Sequence, residues 1–155
     1  MRVGFRTALE VLLLLASSSA ALAADFSGNW AVAICPRERT TECSHASFTL
    51  IQEGQRICGD HSFVTAGAGR MNEGFPGSVR GAVVSDTAIL VVTSGRNDGI
   101  VLAKATRIGP DLRWETLEEI KPGTPPGDAL IFAKGVLKRQ QIAVDEGLVA
   151  ACTVR

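Results

Sequence analysis

Apolar and polar residues alternate with a period of two over short stretches rich in Val, Ile, Thr and Phe, and clusters of Gly, Pro, Asn and Asp separate the stretches. This predicts antiparallel strands, because successive side chains on a strand point to opposite faces. Eight are predicted, at residues 28–35, 46–52, 55–65, 77–85, 88–94, 99–107, 111–119 and 129–139. Helical periodicity is weak outside the first 23 residues. The tail QQIAVDEGLVAACTVR fits either a short turn of helix or an extended run.

The connections carry the topology. Glu53-Gly54, Asp86-Thr87 and Ile108-Gly109-Pro110 are tight turns, whereas Pro36 to His45, Ala66 to Pro76, Gly95 to Asp98 and Ile120 to Asp128 are longer loops. In an up-and-down meander successive connections alternate between two ends, so the tight turns fall at one end and the longer loops at the other. The expected fold is all-β, an eight-stranded antiparallel up-and-down barrel with its mouth at the loop-rich end. A sandwich of two four-stranded sheets is the alternative. Closure removes exposed sheet edges, and eight strands leave an interior that side chains fill or that holds one small ligand.

The start of the chain does not belong to this pattern. Arg2 and Arg6 precede a short apolar run, Val11 to Ala16, and then Ala21-Leu22-Ala23, the small-x-small pattern of a cleavage site. Residues 1–23 are expected to be a signal peptide, 24–139 the barrel and 140–155 a tail packed on it. The run is too short to cross a bilayer. A periplasmic or secreted protein without membrane insertion follows. An outer-membrane barrel is disfavoured because Arg80, Lys104, Arg113 and Glu115 fall within strands and Tyr is absent.

Sixteen basic residues balance sixteen acidic ones, which removes the electrostatic footprint of a nucleic-acid binder. An even count of four cysteines in an exported chain reads as two disulfides. Of three pairings, Cys35 with Cys43 closes a short loop and leaves Cys58 with Cys152 to tie down the tail. A metal site from Cys35, Cys43 and His45 is the rival, but it lacks the close C-x2-C pairs of structural zinc sites. No metal and no cofactor are expected.

The first strand opens SGNWAV, residues 27–32, and Gly28-x-Trp30 at this position resembles the calycin barrels, which include lipocalins and avidin-like proteins. That resemblance implies a Trp closing the barrel floor, with a basic residue from the end of the last strand, Lys138 or Arg139, over its indole face. The chain departs from the avidin-like pattern in having no Tyr and only Trp30 and Trp114, so biotin binding is not expected. A weaker resemblance is to small periplasmic metalloprotease inhibitors, which are similar barrels acting through an N-terminal segment. Only a short trunk precedes Gly28 here.

Candidate chemistry gathers at the expected mouth. TAGAGRMNEG, residues 65–74, lacks the third glycine and the following helix of a dinucleotide fingerprint, and reads as a flexible connection. Arg70, Asn72, Glu73 and Arg96 are candidate ligand-binding residues on loops, beside Arg37, Arg39, His45, Asp98 and Lys121. His61 shares a strand face with Ile57 and Phe63 and is expected to point inward. Glu118 is expected to do the same by alternation with Leu112, Trp114 and Thr116. A His and a carboxylate in one cavity suit acid–base chemistry, yet no nucleophile accompanies them, so catalysis is not expected.

The expectation is therefore a binding protein for a small amphipathic ligand, or alternatively an inhibitor or interaction module of an extracytoplasmic hydrolase. Val83, Val84, Ile89 and Val91 make two strands apolar on both faces, which predicts a cover such as the tail or a second copy.

Overall fold

The computed structural model describes residues 24–38 and 42–153. The leader and Arg39 lie outside the described residues. The strands are β1 Gly28–Ile34, β2 Ser44–Glu53, β3 Arg56–Val64, β4 Met71–Glu73, β5 Val79–Val84, β6 Thr87–Thr93, β7 Ile100–Ile108, β8 Asp111–Lys121 and β9 Lys134–Gln140. One helix, α1 Glu146–Thr153, follows.

Eight strands close into an antiparallel barrel in the order β1-β2-β3-β5-β6-β7-β8-β9, with β9 returning to β1. This excludes the two-sheet sandwich. β4 is an addition inside the loop that follows β3, and it pairs with the end of that strand. The β2–β3 and β7–β8 turns place Gly54 and Gly109 at φ 61° and 59°, a left-handed conformation in which a Cβ is costly. These turns and the β5–β6 turn lie at one end. The described loop residues 35–38 and 42–43, 65–78, 94–99 and 122–133 lie at the other.

Strand alternation puts Trp30, Phe48, Leu50, Ile57, Leu90, Leu112, Trp114 and Leu137 inside, all essentially buried. Phe48 and Trp114 stack with ring centroids 3.8 Å apart. Gly59 and Gly81 also fall on inward positions, where a Cβ would collide with the Thr49 and Ile89 carbonyl oxygens and crowd Leu50 and Leu90 respectively. Large residues thus fill the space that the glycines leave, and the barrel axis is a close-packed core.

Both expected disulfides form, Cys35–Cys43 and Cys58–Cys152. The cysteines of the rival metal site are therefore spent. The second bridge fastens α1 to the outside of β3, and Asp145 Oδ1 caps the helix by accepting from Leu148 N at 3.1 Å. The helix does not cover β5 and β6. Val84, Ile89 and Val91 are exposed there, whereas Val83 is 3 % exposed and belongs to the interior, which corrects its assignment to an outer face.

The last strand is shorter than its apolar pattern predicts, beginning at Lys134 instead of residue 129. Ala129 to Phe132 leave the wall and cross the mouth. Leu130 adopts a left-handed φ of 46°, and Phe132 is buried in the core.

Candidate functional site at the loop-rich end

The crossing segment is held by donors from several strands. Asn72 Nδ2 on β4 donates to Ala129 O at 2.8 Å, and Ser94 Oγ, just past β6, donates to the same oxygen at 2.9 Å. On β8, Trp114 Nε1 and Thr116 Oγ1 donate to Phe132 O at 3.1 and 2.8 Å. Two plug carbonyls therefore each receive two side-chain donors. This answers the requirement that a backbone segment crossing a buried space be hydrogen-bonded.

His61 lies beneath this plug on β3, 4 % exposed. Its Nε2 is 3.0 Å from Asn72 Nδ2 and its Nδ1 is 3.1 Å from Ser78 Oγ. Turning the Asn72 amide over would set its oxygen against the Ala129 and Leu130 carbonyls, so nitrogen occupies that position. An amide N–H donates only to an unprotonated Nε2, which assigns the ring proton to Nδ1 and its hydrogen bond to Ser78. Burial pushes the His61 pKa down to about 4. Gly74 makes room for the pair, since a Cβ there would collide with the His61 ring and the Ser78 hydroxyl. Asn72 Oδ1 is buried without a hydrogen-bond partner.

The candidate basic residues turn toward the plug. Arg96 Nε and Arg70 Nη1 converge on the Asp128 carboxylate at 2.8 and 3.2 Å. Arg96 also donates to Met71 O at 3.3 Å. Asn97 accepts from Gly99 N and donates to Pro125 O, pinning the far side of the same loop. Glu73 is exposed and borders a shallow depression with Met71, Gly95 and Arg96. His61, Arg70, Asn72 and Arg96 are therefore brought together, but around the protein's own segment 128–132 rather than around a void.

Glu118 is not part of this group. Register shifts between Leu102 and Ala103 and between Ile100 and Val101 leave Leu117 and Ile120 as extra residues in β8. Glu118 consequently sits opposite Leu102, exposed on the outer face, and the expected pairing of His61 with Glu118 does not form. Arg37, His45, Asp98 and Lys121 are exposed around the same end. Among the described residues no group of three His, Cys, Asp or Glu side chains is placed to hold a metal ion.

At the opposite end the Arg139 guanidinium lies 5.5 Å from the Trp30 ring centroid and donates to Ser27 O at 2.7 Å. Lys138, the other candidate, bonds instead to Asp111. Arg107, which sequence reading missed, is closer to the indole at 4.6 Å. Burial, and then the neighbouring Arg139, lower its pKa.

Ser94, Asn97 and Asp128 were also missed. Asp128 was marked only as the end of one of the longer loops, Ile120 to Asp128. Comparison with protein-family models, with curated proteins and with solved structures gives no match.

Proposed function

We propose that this protein is an extracytoplasmic interaction module that presents the loop-rich rim of a filled barrel to another protein. The carrying observation is that the interior is occupied by side chains and the mouth is crossed by Ala129 to Phe132, while apolar side chains stand exposed on the rim. Met71 and Phe75 are 46 % and 50 % exposed on one lip, and Leu117 and Ile120 are 46 % and 53 % exposed on another. Large exposed apolar side chains on a rigid scaffold are characteristic of recognition surfaces.

An oxidising compartment agrees with the two disulfides, and the leader pattern of residues 1–23 with export. The Trp30–Arg139 contact supports the calycin-like reading of the barrel floor.

A second reading, a small amphipathic ligand at the mouth, is favoured by one observation. Asn72 Oδ1 is an unsatisfied buried acceptor beside His61, so a displaced plug would uncover polar groups ready for a ligand.

A photo-crosslinker at Phe75 in the full chain, presented to an extract of the source cells, tests both. A defined protein adduct that disappears when Met71→Glu is added supports the module. A small molecule released on denaturing the purified wild type, with no such adduct, overturns it in favour of the second reading.

A further inference from the structure

The Cys58–Cys152 bridge is not sealed inside the protein. Cys58 stands half-buried on the outer face of β3, between the inward residues Ile57 and Gly59. Both cysteines line a surface cavity of about 140 Å³ formed by β2, β3, β5 and α1. That volume holds several water molecules, or one organic molecule of a few heavy atoms. A disulfide that borders such a cavity is open to an attacking thiolate, whereas one buried in a core is not.

Two guanidiniums overlook the bridge. Arg56 precedes Cys58 by two residues and so shares its face, and Arg80 on β5 is its cross-strand partner, with Cβ atoms about 5 Å apart. Both arginines line the cavity and are exposed. Arg80 Nε donates to Gly77 O at 3.2 Å, and among the described residues neither arginine is in an ion pair. Glu53, opposite Arg56 across the β2–β3 turn, alone among the described residues brings a carboxylate to the lining. Asp60, the next outward residue on the mouth side of Cys58, is off it. The lining thus carries two positive charges against one negative.

Charge and exposure select the reagent and the sulfur. An anion is drawn between Arg56 and Arg80, which flank Cys58, and Cys58 is also more exposed than Cys152, at 9 %. We propose that Cys58 is a reversible thiolation site for a small thiol that carries a carboxylate. The thiolate attacks Cys58 Sγ and forms a new S–S bond, while the Cys58–Cys152 bond breaks with its electron pair leaving on Cys152 Sγ. The proton that the incoming thiol gives to solvent is balanced by the proton the Cys152 thiolate takes up, and the number of disulfides is unchanged. α1 has eight residues and buries only Leu148 and Cys152, so it does not stay docked without its bridge. Return attack by Cys152 expels the thiol and redocks the helix. This goes beyond the interaction-module reading and does not depend on it.

The test treats the native, disulfide-bonded protein with 3-mercaptopropionate or with cysteamine, traps free thiols with N-ethylmaleimide at early times, and locates the adduct by peptide mass spectrometry. The expected product carries mercaptopropionate on Cys58 and maleimide on Cys152, and its Leu148 amide exchanges faster. The rate for mercaptopropionate relative to cysteamine should fall at least ~5-fold in Arg56→Gln combined with Arg80→Gln, and rise in Glu53→Gln; comparing variants cancels the intrinsic reactivity of each reagent. In wild type, added salt should slow the first reagent and speed the second, a readout that needs no variant. An adduct confined to Cys152 or to the Cys35–Cys43 bridge, or a rate ratio indifferent to variants and salt, overturns the proposal. So does a rate independent of thiol concentration, which means that exchange waits on unfolding. Unchanged protection at Leu148 in the adduct overturns the release of α1.

Discussion

Asn72 donates its side-chain amide to His61 Nε2 across 3.0 Å, and the same nitrogen reaches the Ala129 and Leu130 carbonyls at 2.8 and 3.3 Å. One side chain thereby couples the protonation state of a buried imidazole to the seating of the plug. Protonating Nε2 would place an N–H against an N–H.

Acid should therefore destabilise the fold through His61. Its pKa is about 4 when folded against the ordinary 6.5 of a solvated histidine, so the unfolded chain binds the proton more readily. The stability of the neutral form is complete above pH 6.5 and is lost as pH falls toward 4, by on the order of 3 kcal/mol. Urea unfolding of wild type and His61→Gln across this range should show stability rising with pH more steeply in wild type, the difference between the two being the His61 contribution. The comparison between the two also removes the contribution of Asp60, whose carboxyl is raised by burial and acts in the opposite sense.

Asn72→Ala removes the donor shared by His61, Ala129 O and Leu130 O. A cost of about 2–3 kcal/mol is expected, since buried acceptors are left unmet. Hydrogen exchange at the Leu130 and Ile131 amides should accelerate together with the drop in thermal midpoint.

Arg107 and Arg139 both lie over the Trp30 ring and repel each other. Each single change to Met therefore relieves a repulsion while removing an attraction, and the double change relieves that repulsion only once. The double variant should be less stable than the sum of the singles by about 0.5 kcal/mol, measured as a thermodynamic cycle in urea.

The bridges differ in the length of chain they close, with sequence separations of 8 for Cys35–Cys43 and 94 for Cys58–Cys152. On the loop-entropy account, replacing both cysteines of a bridge by Ser should cost about 2–3 kcal/mol for the first and about 4–5 kcal/mol for the second. Unfolding free energies of the two double-Ser variants check the order.

Eight strands and the gathering of loops at one end were legible because each rests on local chemistry, whereas the Trp30 contact with the end of the last strand was implied by the calycin resemblance, which left Lys138 and Arg139 open. Gly54 and Gly109 punctuate turns, and alternation marks one buried face. The plug was not legible. Ala129-Leu130-Ile131-Phe132 reads as the start of a buried strand, and periodicity does not separate a wall strand from an apolar segment crossing the lumen. What diverts it is tertiary: Trp114, Thr116, Ser94 and Asn72 offer donors that no stretch of sequence displays side by side. Glu118 was misplaced for a related reason. One extra residue, Leu117, shifts the phase of the alternation before Glu118 is reached, and nothing in LEEIK announces it.

Because the plug is anchored from β4, from the end of β6 and from β8, it acts as a cross-brace between facing lips of the mouth. Pulling on the lip that carries Met71 and Phe75 strains the Asn72 anchor and, through the carbonyls it shares a segment with, the indole of Trp114. Trp114 fluorescence is accordingly a built-in gauge of tension at a lip it does not touch.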